Sequence, residues 1–402
     1  MKQNKSKSLN KKFRTYFIAL LSFALLTSVH QVTAQGQSVK SSTNTRDFTR
    51  WDYYSYKYVG EKLNRLILPA ENFKNCKPCK WTNADGRKLS NFHPVRAKAF
   101  EEIKKFGRQP SMPLSNIDWN FTQSVQTDLK KVMTKLNEQG MKYWSSSINS
   151  DTPYVVIVGE DKSRPELVKM LGKTNKGSDQ LASFNSFFDR YQSLPKWEKA
   201  RPLGGGQATI DSDATSGKKI FLLTYHVASY TTEKTYFFTT PAHEVTHIFQ
   251  SSLSNDVGYS TGMPISLWEG TAVLFGAGIS MPNLGWYSDE LDHVMMRFLT
   301  GHDRSVEMRT NKDAVELLKA AEDPLTDIGT SAGYNVGPLL FEWFVSQYGV
   351  QKFVSLVEAA GTASSFDDAL KQTIGLSKEQ LYESAAPYVL KSYQRVQKIF
   401  RG

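Results

Sequence analysis

The chain has 402 residues, which is enough for two compact domains or one large one. Its hydrophobic content of 40% and charged content of 22% indicate a globular protein. The formal net charge is +11, but residues 1–34 hold six basic residues and no acidic one, so +5 remains without them. No later Lys/Arg-rich run alternates with aromatic residues, and we therefore exclude nucleic acid as a partner.

The N-terminus has the three parts of an export signal. A basic stretch ends at Arg14, residues 17–26 form an apolar run, and Val32-Thr33-Ala34 supplies a small-residue cleavage site. The apolar run is shorter than the ~20 residues that a spanning helix needs, although an uncleaved anchor is the alternative. The sequence predicts a signal peptide over 1–34, a secreted or periplasmic protein, and no stable membrane span after cleavage.

The two cysteines form a short Cys76-Lys77-Pro78-Cys79 motif in this exported chain. A structural disulfide between Cys76 and Cys79 is the favoured interpretation, because exported proteins meet an oxidising environment. A thioredoxin-like redox pair is the alternative, but no strand-to-helix pattern surrounds the motif. A zinc knuckle would need a second pair of ligands.

The chain up to residue 226 gives a mixed pattern of elements. Residues 35–50 are polar and predict a flexible leader. Apolar spacing predicts helices over 95–106 and 121–139, the second ended by Gly140, and a buried strand over 153–159. From there to residue 226 the sequence predicts short strands and loops, with Gly204–Gly206 as a flexible stretch, a hairpin turn over 211–217 and a strand over 219–226. We expect this last strand to be a sheet edge to which an extended peptide could add.

A short motif then carries the chemistry. His243-Glu244-Val245-Thr246-His247 reads H-E-x-x-H, and on a helix its two histidines share one face and can bind one metal ion. The Glu244 carboxylate lies beside the first ligand, where it can act as a general base on a metal-bound water. Thr239 or Thr240 is suited to cap this helix, and Pro241 suits its first turn.

A catalytic zinc needs a third protein ligand, and Glu269 is the favoured candidate. It lies 22 residues beyond His247, at the start of an apolar segment in which a carboxylate without a metal would be costly. Asp256 is the alternative. A metzincin arrangement is excluded, because Gln250 and Leu253 occupy the positions where that class needs Gly and His.

The C-terminal third carries helical spacing throughout. We predict helices over 287–300, 313–322, 336–348, 350–360, 366–374 and 377–400. The predicted organisation is a signal peptide (1–34), an N-terminal region of unknown role (35–150), an α+β catalytic part (151–300) and an α-helical subdomain (301–402).

The metal motif, followed by Trp268-Glu269-Gly270-Thr271-Ala272, resembles the gluzincin metallopeptidases, particularly the peptidase MA-like group. Residues 333–337 and 341–349 are similar to the helix and Tyr-Gly turn that follow the ligands there, and the resemblance covers about residues 219–390. It implies an α+β fold with a thermolysin-like, zincin-like catalytic domain: a small mixed sheet with an edge strand, the H-E-x-x-H helix, and a helical C-terminal subdomain.

The resemblance also implies zinc as cofactor, bound by His243, His247 and Glu269, and hydrolysis of peptide bonds with Glu244 as general base. Tyr334 is the candidate donor to the tetrahedral oxyanion, with His293 and His302 as rivals. The sequence departs from the group at Val273, where many relatives have an acidic residue that orients a zinc-bound histidine. The aminopeptidase G-x-M-E-N element is absent upstream, which favours an endopeptidase.

The favoured function is thus an exported zinc metallopeptidase acting on peptides or proteins. The alternative is a catalytically inactive, gluzincin-like surface binding protein, but the presence of Glu244 argues against it, because zinc binding alone does not need the general base. A zinc-stabilised structural protein would favour four closed Cys/His ligands, which are missing.

Overall fold

The structure is a computed structural model that describes residues 54–59, 62–67, 92–111, 114, 116–148, 151–193, 204–227, 239–254, 263–300, 307–323 and 325–401. The predicted signal peptide and the Cys76–Cys79 disulfide lie outside these residues. So do the alternative ligand Asp256 and the rival donor His302.

The fold is mixed α+β, with two sheets among the described residues. The strands β1 (Tyr54–Val59) and β2 (Lys62–Ile67) form an antiparallel pair. A mixed four-stranded sheet contains β3 (Ile117–Phe121), β4 (Tyr154–Glu160), β5 (Gly204–Ser212) and β6 (Lys219–Val227). Its order is β3-β4-β6-β5, with β3, β4 and β6 parallel and β5 antiparallel to β6.

The prediction that 219–226 forms the sheet edge is wrong. Strand β6 lies between β4 and β5, and every residue from Ile220 to Val227 is buried. The physical reason is visible in the sequence, because a continuous apolar run is typical of a strand covered on both faces, whereas edge strands are more polar. Among the described strands, the edge on this side of the sheet is β5, so Gly204–Gly206, predicted as a flexible stretch, belongs to a strand.

The predicted hairpin turn over 211–217 is confirmed between β5 and β6. One Asp213 carboxylate oxygen accepts hydrogen bonds from the backbone N–H groups of Thr215 and Ser216. Gly217 has φ of +68°, which glycine adopts without steric cost. Local turn chemistry therefore fixes the register of the edge strand on its neighbour.

Two helices lie between residues 94 and 144, and the second packs on the helix that carries the H-E-x-x-H motif, which we call the metal helix. Helix α1 (Pro94–Phe106) confirms the prediction for 95–106. Helix α2 (Thr127–Trp144) begins later than predicted and does not end at Gly140. A Cβ at Gly140 would lie 3.1 Å from Ala242 Cα, so this glycine lets α2 pack closely on the metal helix, and close packing outweighs its helix-breaking tendency.

The stretch after β4 is more helical than predicted. It contains α3 (Arg164–Leu171) and α4 (Gly177–Ser193), whose apolar side chains join β4 and β6 in a small core of their own. The metal helix α5 (Thr240–Leu253) follows, with Pro241 in its first turn, and Thr239 occupies the N-cap position without a side-chain hydrogen bond.

The remaining helices include those predicted for the C-terminal third, together with one over 327–335 that was not predicted. They are α6 (Thr271–Ser280), α7 (Leu284–Thr300), α8 (Asn311–Ala320), α9 (Asp327–Asn335), α10 (Gly337–Ala360), α11 (Phe366–Ile374) and α12 (Lys378–Arg401). Gly349, with φ of +78°, interrupts α10 between the two segments that the sequence predicted as separate helices. Among the described residues, none of these helices combines the length and apolar character needed to cross a membrane.

Candidate metal centre

His243, His247 and Glu269 meet at one point of the fold. The Nε2 atoms of the two histidines are 3.1 Å apart, and a Glu269 carboxylate oxygen lies 3.3 Å from Nε2 of His243 and 3.2 Å from Nε2 of His247. In the described part of the chain, this is the group of three His, Cys, Asp or Glu side chains that could hold a metal ion. The three predicted ligands are therefore brought together.

Helix α5 supplies two of these groups because its histidines are four residues apart and so lie on one face. The opposite side of the helix is fixed by Trp144 of α2, whose ring stacks on Phe249 at a centroid distance of 3.8 Å. The Trp144 indole N–H also donates to the Thr246 hydroxyl over 3.1 Å. These contacts fix the orientation of α5 about its own axis and therefore the direction in which both imidazoles point.

Glu269 reaches the histidines from the segment that begins α6. It lies in a single π-helical turn, Ser266–Gly270, of a kind often found at functional sites. Glycine permits the close approach of α6 to α5, since a Cβ at Gly276 would lie 2.9 Å from the Thr239 carbonyl oxygen and 3.2 Å from His243 Cβ. The Glu269 side chain is only 2% exposed.

Gln250 links the two ligand-bearing segments and was not predicted as a site residue. Its side-chain oxygen lies 2.7 Å from Nδ1 of His247. Its side-chain nitrogen donates to the backbone carbonyls of Leu267 and Trp268 and to the Thr271 hydroxyl oxygen, at 3.1, 2.9 and 2.7 Å. Val273 stands where an acidic residue was expected to orient a histidine of the cluster. For His247, Gln250 of the metal helix is in a position to do this instead.

The electrostatics of the cluster favour an imidazole–carboxylate contact. Burial disfavours the protonated form of His247, but the Glu269 carboxylate outweighs it and raises the pKa of His247 to about 9. Burial acts to raise the pKa of Glu269, but His247 and the hydrogen bonds from both histidines outweigh it and lower that pKa. A buried carboxylate held ionised beside two imidazoles is a suitable donor set for a divalent cation.

Glu244 lies against the edge strand. Its side chain is 5% exposed, and burial, with a smaller contribution from Glu269, raises its pKa above the usual range for a glutamate. A Cβ at Gly206 of β5 would lie 2.6 Å from Glu244 Cγ and 2.8 Å from one of its carboxylate oxygens. The strand therefore passes directly beside the predicted general base, and a side chain at Gly206 would displace the Glu244 side chain.

Two aromatic side chains border the histidines. The half-buried Tyr334, on α9, stacks at a centroid distance of 6.5 Å from the His243 ring. Trp268 stacks on His247 at 5.7 Å. The rival donor His293 lies on α7. The Tyr334 ring therefore lies beside the His243 ring, at the border of the cluster.

Comparison with known proteins finds no matching family, no curated relative and no similar solved structure.

Proposed function

We propose that this chain is an exported, zinc-dependent metallopeptidase in which Glu244 is the general base. The observation that carries the proposal is the triangle of ligand atoms, with sides of 3.1, 3.2 and 3.3 Å. Tetrahedral zinc with bonds of about 2.0 to 2.1 Å has ligand atoms about 3.3 Å apart. Two imidazoles and one carboxylate are also the donor set of thermolysin-type catalytic zinc, which keeps a fourth position for water.

Zinc bound here would supply Lewis acidity, polarising both a water molecule and the scissile carbonyl. Glu244 accepts the proton of the attacking water and passes it to the nitrogen of the leaving amine. Its burial favours this role, because a raised pKa makes the carboxylate a stronger base. The phenol of Tyr334 donates a hydrogen bond to the oxyanion of the tetrahedral intermediate.

An extended peptide is the substrate that suits this sheet edge. The edge strand β5 passes Glu244 at Gly206, and no described strand pairs with its other side. A peptide added there as a further strand gains main-chain hydrogen bonds, and its backbone lies beside the general base Glu244. A protein or peptide is therefore the proposed partner, and the signal-like N-terminus supports a secreted or periplasmic location.

Two measurements on purified protein test the proposal. The wild type should contain about one zinc per chain, measured by elemental analysis, and should cleave members of a broad peptide library. His247→Ala should lose the metal, whereas Glu244→Gln should keep it and lose about 10²-fold or more of the activity. His293→Ala, a histidine outside the ligand triangle, is the matched control and should keep its zinc.

The same measurements separate the alternatives. Zinc retained in His247→Ala would show that the ligand assignment is wrong. A wild type that holds zinc but cleaves no peptide would point to a binding protein with an inactive gluzincin-like site. Tyr334→Phe tests the oxyanion donor, since loss of one such donor lowers kcat by about 10²- to 10³-fold.

A further inference from the structure

Among the described residues, nothing pairs with the outer side of β5 at its Gly204 end, whereas its Ser212 end is occupied. In an antiparallel strand, the N–H and C=O groups of one residue both face one side of the strand, and those of the next residue both face the other side. Ser212 and Ile210 direct their carbonyls away from β6, because these oxygens accept from Asn175 N–H at 3.1 Å and Lys176 Nζ at 2.7 Å. The same alternation directs the backbone groups of Ala208 and Gly206 outward.

The segment between α3 and α4 covers the occupied end. Thr174 forms an antiparallel bridge with Asp213, and Ala214 N–H donates to the Lys173 carbonyl over 2.8 Å. Lys176 N–H donates to the Asp211 carboxylate over 2.9 Å. Residues 173–176 thus lie where a strand added to β5 would otherwise continue, and the added strand must end at Lys176.

The open end leads to the proposed catalytic group. Gly206, beside Glu244, is four residues from Ile210, which corresponds to about 13 Å of strand at 3.3 Å per residue. A peptide whose scissile bond lies near Glu244 therefore has room for about four residues before it meets the Lys176 side chain. The stretch of β5 to which a peptide could add therefore ends at a defined distance from the bond that would be cut.

Lys176 brings a positive charge to that boundary. Its ammonium group has three donors, and the contacts to Ile210 O and to Thr209 Oγ1, at 2.7 and 3.1 Å, use two of them. None of the ion pairs among the described residues involves Lys176. One donor of the ammonium group, which has no ion-pair partner within 4.0 Å among the described residues, remains for a group at the end of the added strand.

We infer that Lys176 is a specificity-determining residue that binds a carboxylate of the substrate about four residues from the scissile bond. This inference rests on the proposed peptidase function and adds a substrate class to it: peptides with a negative charge at a fixed distance from the cleaved bond. The carboxylate is supplied either by the C-terminus of a short peptide or by an Asp or Glu side chain within a longer one.

Binding and cleavage are measured separately to test this inference. For binding, calorimetric titration of zinc-loaded Glu244→Gln uses eight-residue peptides in matched pairs. One pair has a free or an amidated C-terminus, and the other has an internal Glu or Gln, so the two sources of the carboxylate are distinguished. For cleavage, the wild type acts on the same peptides and mass spectrometry locates the cut.

The carboxylate member of one pair should bind about tenfold more tightly than its neutral partner and be cut about four residues from the charge. Lys176→Met should abolish this preference, Lys176→Arg should keep it, and Lys176→Glu should reverse it. Lys169→Met, which removes an exposed lysine of α3, is the control and should leave it unchanged.

The two ideas fail in different ways. If the wild type cleaves peptides but shows no carboxylate preference, or keeps it in Lys176→Met, the inference about Lys176 is overturned and the peptidase proposal stands. If peptides bind with the predicted preference but no bond is cut, the subsite stands and the catalytic proposal fails. Peptides that show neither preference nor cleavage overturn both.

Discussion

Gln250 and His247, three residues apart on α5, are joined by a hydrogen bond of 2.7 Å between the side-chain oxygen of Gln250 and Nδ1 of His247. The orientation of the amide is determined, because its nitrogen faces three oxygen acceptors on the segment that carries Glu269. Its oxygen must then accept from His247, which places the imidazole proton on Nδ1. In the neutral ring, Nε2 then carries the lone pair that a metal ion would use.

We expect Gln250→Met to weaken zinc binding by about 10- to 100-fold, the range found when the partner of a metal-bound histidine is removed. The methionine fills similar space but cannot hold the imidazole or bond to the π-helical turn. The zinc dissociation constant, measured by competition with a chromophoric chelator, checks this. Thr271→Val removes one of the acceptors of the amide while Leu267 and Trp268 remain, so it should change the affinity less. Equal affinity in Gln250→Met and wild type would contradict the orienting role.

The sequence predicted that His243, His247 and Glu269 meet, because the spacing of these candidate ligands is informative at short range. Two histidines four apart on a helix share a face wherever the helix lies, and a glutamate at the start of an apolar segment indicates a partner that neutralises it. The role of Gln250 depends instead on the backbone of Leu267 and Trp268, seventeen and eighteen residues away. No local pattern predicts that contact.

The order of strands in the sheet depends on distant pairing in the same way. The apolar run of β6 indicated a strand but was assigned to the edge, although burial on both faces is the usual meaning of such a run. Gly204–Gly206 was not predicted as a strand, since glycine weakens strands. The structure shows why glycine stands at two of these positions: Glu244 lies beside Gly206, and His226 lies beside Gly205. From sequence alone, a glycine that makes room for a neighbouring side chain cannot be told from a glycine in a loop.

The contact between Gly206 and Glu244 gives a second prediction. Gly206→Ala places a methyl group 2.6 Å from Glu244 Cγ, so the carboxylate must move. Displacement of a catalytic group by about 1 Å costs on the order of 10²-fold in rate, whereas the zinc ligands are untouched. We expect a large fall in kcat with zinc content unchanged.

Gly205→Ala is the matched comparison for that experiment. Its added methyl group would lie 2.2 Å from Nε2 of the buried His226, on the other face of the same strand. It should lower the free energy of unfolding without acting on Glu244 directly. If Gly206→Ala retains wild-type kcat, the general base does not depend on this contact.

Zinc affinity should depend on pH through His247. In the metal-free protein, burial opposes protonation of His247, but Glu269 outweighs it and raises the pKa of His247 to about 9. The ring is therefore protonated on both nitrogens at neutral pH. Zinc must displace that proton. The apparent affinity should therefore rise about tenfold for each pH unit between pH 6.5 and 8.5 and level off above pH 9. Glu269→Gln removes a proposed zinc ligand as well as the group that raises the pKa of His247, so it should bind zinc more weakly and reach its maximum affinity at lower pH. An affinity independent of pH over this range would contradict the assignment.

A buried charge network joins α1 to the C-terminal helices. The Arg96 guanidinium donates to Asp292 Oδ1 at 2.6 Å and to Glu342 Oε1 at 3.1 Å, and all three side chains are at most 2% exposed. Tyr388 also donates to Glu342, and Arg395 pairs with Asp292. Burial disfavours the Arg96 cation, but the two carboxylates and Tyr388 outweigh this and raise its pKa. The two cations and two carboxylates balance, and this balance makes the arrangement tolerable in the interior.

Arg96→Met breaks that balance, because it leaves a buried carboxylate without its partner. We expect the free energy of unfolding, measured with urea, to fall by about 3 to 5 kcal/mol. Arg164→Met breaks the ion pair with Asp189, whose side chains are 40% and 69% exposed, and should cost at most about 1 kcal/mol. Arg96→Met combined with Glu342→Gln restores the charge balance, so the double variant should be more stable than the sum of the two single effects predicts. Strict additivity would show that Arg96 and Glu342 are not energetically coupled.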